Sequence, residues 1–182
     1  MPYRRLFIWV EGPDDVRFFE AVVKPIFDEQ YDFVVIRPYS GEKPEKISNF
    51  LKSIKAMDAD YLFVTDINSH PCVTSRKERK LQKYQNLDTE RLVVVVKEVE
   101  SWYLAGLDSS NSKRLGIPPL ANTNTLTKEQ FDELVPRKKF DSRTDFMLET
   151  LKWFSIEVAK GKNQSFAYFA RKHFILKTDC SG

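Results

Sequence analysis

Arg5-Leu-Phe-Ile-Trp-Val-Glu11, followed at once by Gly12-Pro13-Asp14-Asp15, is the stretch that decides the fold. Its first six residues form a short apolar run rich in β-formers, and Gly-Pro then forces a turn. Asp14 and Asp15 fall where a helix starts, a position that favours acidic side chains through the free N–H groups and the helix dipole. Val16, Phe18, Phe19, Val22, Val23 and Ile26 supply that helix with an apolar side. The pattern is therefore strand, tight turn, helix.

The same alternation continues along the next eighty residues. Tyr31–Arg37 is expected as a second strand, Tyr61–Thr65 as a third and Arg91–Lys97 as a fourth. Pro44–Met57 reads as a helix, and Thr74–Tyr84 as a highly charged helix or helical loop. Nearly continuous Val, Ile, Leu and Phe in the strands implies burial on both faces, as in a parallel sheet covered by helices. The expected fold is α/β: a Rossmann-like, four-stranded, mainly parallel sheet flanked by helices. Beyond it, Gly106–Asn124 looks loop-like, and helices are expected near Lys128–Leu134, Ser142–Ile156 and Gln164–Phe174. Residues 1–106 would form the α/β core, and 107–182 a helical C-terminal extension packed on it rather than an independent domain.

Composition sets the outer bounds. The 182 residues are 42% hydrophobic and 30% charged, which excludes a disordered or low-complexity chain. No apolar run approaches the ~20 residues of a membrane span, and the short run after Arg5 is no signal-peptide core. The expectation is a cytoplasmic protein with no membrane partner. His70 precedes Cys72 by two residues, but with Cys180 and His173 as the only others of their kind, reduced thiols are a better reading than zinc. Net charge is +3, and from Val135 onward ten Lys/Arg face five Asp/Glu. A mildly basic tail is compatible with a nucleic-acid footprint, with Arg137, Lys138, Lys139 and Arg143 the candidate phosphate contacts. Phosphate-cradling and dinucleotide fingerprints are absent, as is any nucleophile elbow.

Acidic residues close three of the four strands: Glu11 after the first, Asp66 after the third, Glu98 and Glu100 after the fourth. In a parallel sheet the C-terminal strand ends share one edge, where ligands bind. Carboxylates gathered there repel one another unless a cation binds them, and hard oxygen ligands favour Mg²⁺ or Mn²⁺. Glu98 and Glu100 lie two apart, so extended backbone would turn both to one side. Any single one of these residues is explained as a turn former or cap, and this holds most strongly for Asp14 and Asp15.

Ile8-Trp-Val-Glu11-Gly12-x-x-Asp15 with Phe18-Phe19, followed by Leu62-Phe-Val-Thr-Asp66-x-Asn68, resembles the TOPRIM domain, over residues 5–100. That domain is shared by topoisomerases, primases, recombination-mediator proteins and the overcoming-lysogenisation-defect nucleases. Glu98-Val-Glu-Ser-Trp-Tyr-Leu-Ala105 also looks like a segment of small TOPRIM-like proteins of bacteria and archaea. The resemblance implies a nuclease dependent on Mg²⁺ or Mn²⁺, cleaving phosphodiester bonds of DNA or RNA. Asp66 would be the main metal ligand, Asn68 and one of Glu98 or Glu100 would complete the shell, and Glu11 would be a ligand or general acid/base. Asp15 would support them. A defence or toxin effector working with a partner ATPase is one form of this. The second Asp of the family's Asp-x-Asp is Asn68 here, which removes a negative charge. The alternative is thus a non-catalytic TOPRIM-like module that binds nucleic acid or a partner protein.

Overall fold

The computed structural model describes residues 3–174. Cys180 therefore lies outside the described residues. Strand β1 (Arg5–Val10) occupies the expected apolar run and leads into α1 (Pro13–Phe18). Pro13 sits in the first helical turn, where its missing N–H is no loss. The helix then widens into a π-helical stretch, Phe19–Val23, before α2 (Lys24–Phe27). β2 (Phe33–Pro38), α3 (Pro44–Ala56), β3 (Asp60–Asp66), α4 (Val73–Lys83) and β4 (Leu92–Val95) follow in turn. All strand pairs are parallel, in the order β2-β1-β3-β4. The α/β fold read from the sequence is the fold of the chain.

Alternation along each strand divides the core in two. Leu6, Ile8, Val10, Leu62, Val64, Val93 and Val95 face one side, against Phe18, Phe19, Val23 and the later helices. Trp9, Tyr61, Phe63 and Leu92 face the other, against Ile47, Leu51 and Ile54 of α3 and Tyr39 and Tyr84. Both faces of the central strands β1 and β3 are thus largely covered, which is why they read as nearly continuous apolar runs.

The fourth strand is shorter than expected. β4 ends at Val95, Lys97 takes the left-handed conformation (φ 67°), and the chain turns directly into α5 (Val99–Ala105). Every residue of α5 is buried, so it shows no polar face and no helical period. Glu98 is its N-cap position and Glu100 lies in its first turn. The expectation that both project from extended backbone is therefore wrong: helix begins between them. The stretch expected as loop contains α6 (Ser109–Leu115), opened by an Asp108 cap and closed by Gly116 in the left-handed region. α7 (Lys128–Leu134) begins on a Thr127 capping box. The single helix expected over Ser142–Ile156 is two, α8 (Arg143–Lys152) and α9 (Ile156–Lys162), because Ser155 caps a new start. α10 (Gln164–His173) packs Phe166 and Phe169 against Trp102. Among the described residues no helix is long and apolar enough to cross a membrane.

Candidate active site

Connections from β1 run to one side of the sheet and those from β3 to the other, so the order reverses between these two strands. In open parallel sheets that reversal leaves a crevice at the C-terminal ends. Glu11 ends β1 there and Asp66 ends β3. The register Trp9↔Phe63 carries forward to bring Glu11 beside Thr65, whose Oγ1 donates to Glu11 Oε1 at 2.7 Å. A cleft of about 290 Å³ opens at this point. Glu11, Asp15, Asp66, Asn68, Glu98 and Glu100 all line it, together with Lys128.

These carboxylates are not treated alike. Glu11 Oε1 also accepts from Tyr39 Oη (3.0 Å), Arg76 Nη2 (3.0 Å) and Lys80 Nζ (3.4 Å). Arg76 and Lys80 stand one helical turn apart on α4 and are both buried, so they reach the cleft from behind. Burial pulls the Lys80 ammonium down to about 8, against the opposing pull of Glu11. Glu98 accepts from the backbone N–H of Lys128 at 2.6 Å and so ties the start of α7 to the start of α5. Glu100, 4% exposed, is paired with Arg143, which also binds Asp14 and Asp132. Burial raises Glu100 and the Arg143 charge opposes that rise.

Neither aspartate is paired with a cation among the described residues. Asp15 is 5% exposed; its Oδ2 accepts from the Gly12 N–H at 3.0 Å, closing the first turn of α1, while Oδ1 has no partner. Burial first, then the charges of Glu11 and Glu100, push its carboxyl up to about 7. Asp66 Oδ1 is likewise buried without a partner. Burial, reinforced by Asp15, Glu11, Glu100 and Glu98, pushes Asp66 up to about 9. An unsatisfied buried carboxylate oxygen is costly, and two in one cleft are unusual.

Among the described residues, no three His, Cys, Asp or Glu side chains stand together as a finished metal shell. The reason is visible in the contacts: Glu11, Glu98 and Glu100 are each drawn to a protein donor. The bare oxygens of Asp15 and Asp66 nevertheless have the hard-donor chemistry that suits Mg²⁺ or Mn²⁺. Asn68, exposed and in the left-handed conformation (φ 51°), stands at the rim.

Two expected roles change with the structure. Arg143 is not an exposed phosphate contact, because its guanidinium is engaged by Asp14, Glu100 and Asp132. It positions Glu100 instead. Arg137, Lys138 and Lys139 are exposed, with Lys139 Nζ donating to the Arg114 carbonyl and Arg137 Nη2 to that of Asp132. Sequence reading missed Tyr39, Thr65, Arg76 and Lys80. The i,i+4 spacing of Arg76 and Lys80 was the available signal, obscured by the cations around it in Arg76-Lys-Glu-Arg-Lys80.

No family model matches the chain, and no curated protein matches it in sequence. Among solved structures, the C-terminal region of the Burkholderia pseudomallei OLD protein is similar, with a TM-score of 0.49 and 14% identity, covering 94% of this chain and 98% of that one. The C-terminal region of the Xanthomonas campestris pv. campestris OLD protein is similar at a TM-score of 0.44 and 15% identity, over 95% and 99% of the two chains.

Proposed function

We propose that the chain is a divalent-metal-dependent phosphodiesterase that cleaves nucleic acid, its site lying at the junction of β1 and β3. One observation carries the reading: buried Asp15 and half-buried Asp66 each keep one carboxylate oxygen out of water and unpartnered, in one cleft at the sheet's reversal point. Neither Glu98 nor Glu100 leaves a buried oxygen without a partner in this way. Asp66 and Asp15 would hold Mg²⁺ or Mn²⁺, with Asn68 at the rim and Glu98 and Glu100 behind. The bound ion would neutralise the scissile phosphate and lower the pKa of water.

The protein's own groups supply the rest. Four donors fix Glu11 through Oε1, so its carboxylate cannot swing, and Oε2 is left to accept the proton of the attacking water. The water oxygen forms a new bond to phosphorus, one P–O bond breaks, and the departing oxygen takes up a proton. Arg137, Lys138 and Lys139 would contact backbone phosphates. Of these, Arg137 connects to the cleft wall through contacts running from Asp132 to Arg143 to Asp14.

The test is incubation with single- and double-stranded DNA and RNA in Mg²⁺ or Mn²⁺. Cleavage of at least one substrate is expected, abolished in Asp66→Asn. Intact substrates throughout, or cleavage untouched by Asp66→Asn, would overturn the reading. Asn68 favours a second reading, a non-catalytic module that binds nucleic acid, since a neutral amide replaces a charge at the rim. Titration calorimetry separates the two: the module binds nucleic acid without taking up metal at millimolar concentration.

A further inference from the structure

Among the described residues, strand β4 is the outer strand of the sheet and pairs only with β3. The Val95 carbonyl accepts from the Ile67 N–H at 2.9 Å, which fixes the facing of the backbone groups. Groups of one residue point to the same side and alternate along a strand, so Val93 and Val95 face β3 while Leu92, Val94 and Val96 face outward. The Leu92 N–H is used by the Thr89 carbonyl, and the Val96 carbonyl is approached by Ser101 Oγ at 3.5 Å. Among the described residues nothing outside the sheet bonds the N–H or carbonyl of Val94. Edge groups of this kind form a template for another strand.

The edge is not a flat rim. It floors a groove of about 310 Å³, walled by Val73 and Lys77 of α4 on one side and Tyr168, Phe169 and Lys172 of α10 on the other. Val73 and Tyr168 are large apolar side chains left 39% and 55% exposed. The charged lining is of one sign. Lys77 and Lys172 line the groove beside the His173 ring, which burial holds down to about 4 and so keeps neutral, and among the described residues no carboxylate lines it. Glu90, which meets Lys172, does so from outside the groove and is itself open to solvent. Burial and the neighbouring Lys172 charge hold Lys77 below its usual range, so a counter-charge is wanted there.

We infer that this groove takes an extended apolar segment of a partner protein carrying acidic residues at its ends, added to β4 as a fifth strand. Free backbone groups select a peptide over a small molecule, the apolar walls select its central side chains, and Lys77 and Lys172 select its charge. The strand would bond to Val94 through both its groups and to the Leu92 carbonyl and Val96 N–H. The inference is independent of catalysis, because the groove shares no residue with the acidic cleft.

The experiment is fluorescence anisotropy of the full chain with a labelled peptide of alternating valine and threonine, ended by two glutamates on each side. A lysine-ended counterpart is the comparison. Binding of the acidic peptide is expected at least tenfold tighter than the basic one. The preference should reverse in Lys77→Glu/Lys172→Glu. Val94→Pro, which removes an outward N–H an edge strand can spare, should weaken binding tenfold or more. Equal binding of the two peptides, no binding at millimolar peptide, or unchanged affinity in a folded Val94→Pro would overturn the proposal. Binding that appears only after removal of residues 175–182 would also overturn it, by assigning the groove to the chain's own end.

Discussion

Replacing Asp66 by asparagine is expected to make the protein more stable near neutral pH. Burial and four neighbouring carboxylates push Asp66 up to about 9 in the folded chain, whereas an unfolded aspartate titrates near 3.9. Because the folded pKa is the higher one, the stability linked to this group is complete below about pH 4 and is lost as pH rises toward 9. Three pH units at about 1.4 kcal/mol each give roughly 4 kcal/mol lost by pH 7. Asn keeps the shape and removes the titration, but it leaves a buried amide short of a partner, at about 1–3 kcal/mol. The expected net gain is about 1–3 kcal/mol at pH 7, falling to zero or a loss near pH 4. Urea denaturation of both proteins at pH 5 and pH 8 reads this directly. Added Mg²⁺ should stabilise the wild type by RT ln(1 + [Mg²⁺]/Kd), about 2.7 kcal/mol at a hundredfold excess over Kd, and the variant far less. A wild-type midpoint that does not fall between pH 5 and pH 8, or a variant less stable than wild type at pH 8, would refute the reasoning.

Arg143→Ala should cost about 3 kcal/mol or more, because it leaves Glu100 charged and buried without its partner. The loss should shrink at pH 5 as Glu100 takes up a proton, and equal losses at pH 5 and pH 8 would count against the ion pair as the cause. Gly106→Ala should lower the melting temperature by about 4–8 °C, corresponding to about 2 kcal/mol. An added Cβ would lie 2.2 Å from the Phe154 ring, and differential scanning calorimetry showing no shift would mean that the ring moves aside freely.

The strands were legible because burial on both faces leaves an unbroken apolar run, as in Leu6-Phe-Ile-Trp-Val10. Helices with one wet face, such as α3 and α10, were legible by their period. α5 was not, because a helix buried all round carries no period, and a left-handed Lys97 leaves no composition signal. The π-helical stretch after Phe18 is equally silent, since Phe19-Glu-Ala-Val-Val23 suits an ordinary helix. Strand-end logic indicated where Glu11 and Asp66 would lie, because it depends only on strands being parallel. Which carboxylates are neutralised depends on long-range contacts, Arg76 to Glu11 across 65 positions and Arg143 to Glu100 across 43. Such pairings are set by packing, and no local pattern encodes them.

On the proposed function, that distribution of cations is what would separate a site from a merely acidic surface. Arg76, Lys80 and Arg143 are all partly or fully withdrawn from water, at a desolvation cost each must recover from its partner. All three are spent on glutamates or on Asp14 and Asp132 at the margin, and none on Asp15 or Asp66. Stability alone would favour the reverse, since burial drives both aspartates strongly toward the neutral form. A fold that fixes the surrounding glutamates while leaving the central aspartates bare carries strain at one point that its other ion pairs help to offset. Binding a hard cation there would relieve it, and Asn68, which adds an oxygen without a charge, would then be a ligand that does not increase the repulsion. On the proposed function the glutamate cage and the two aspartates would form one arrangement, with Glu11 held by its four donors while Asp15 and Asp66 each keep one oxygen for the cation.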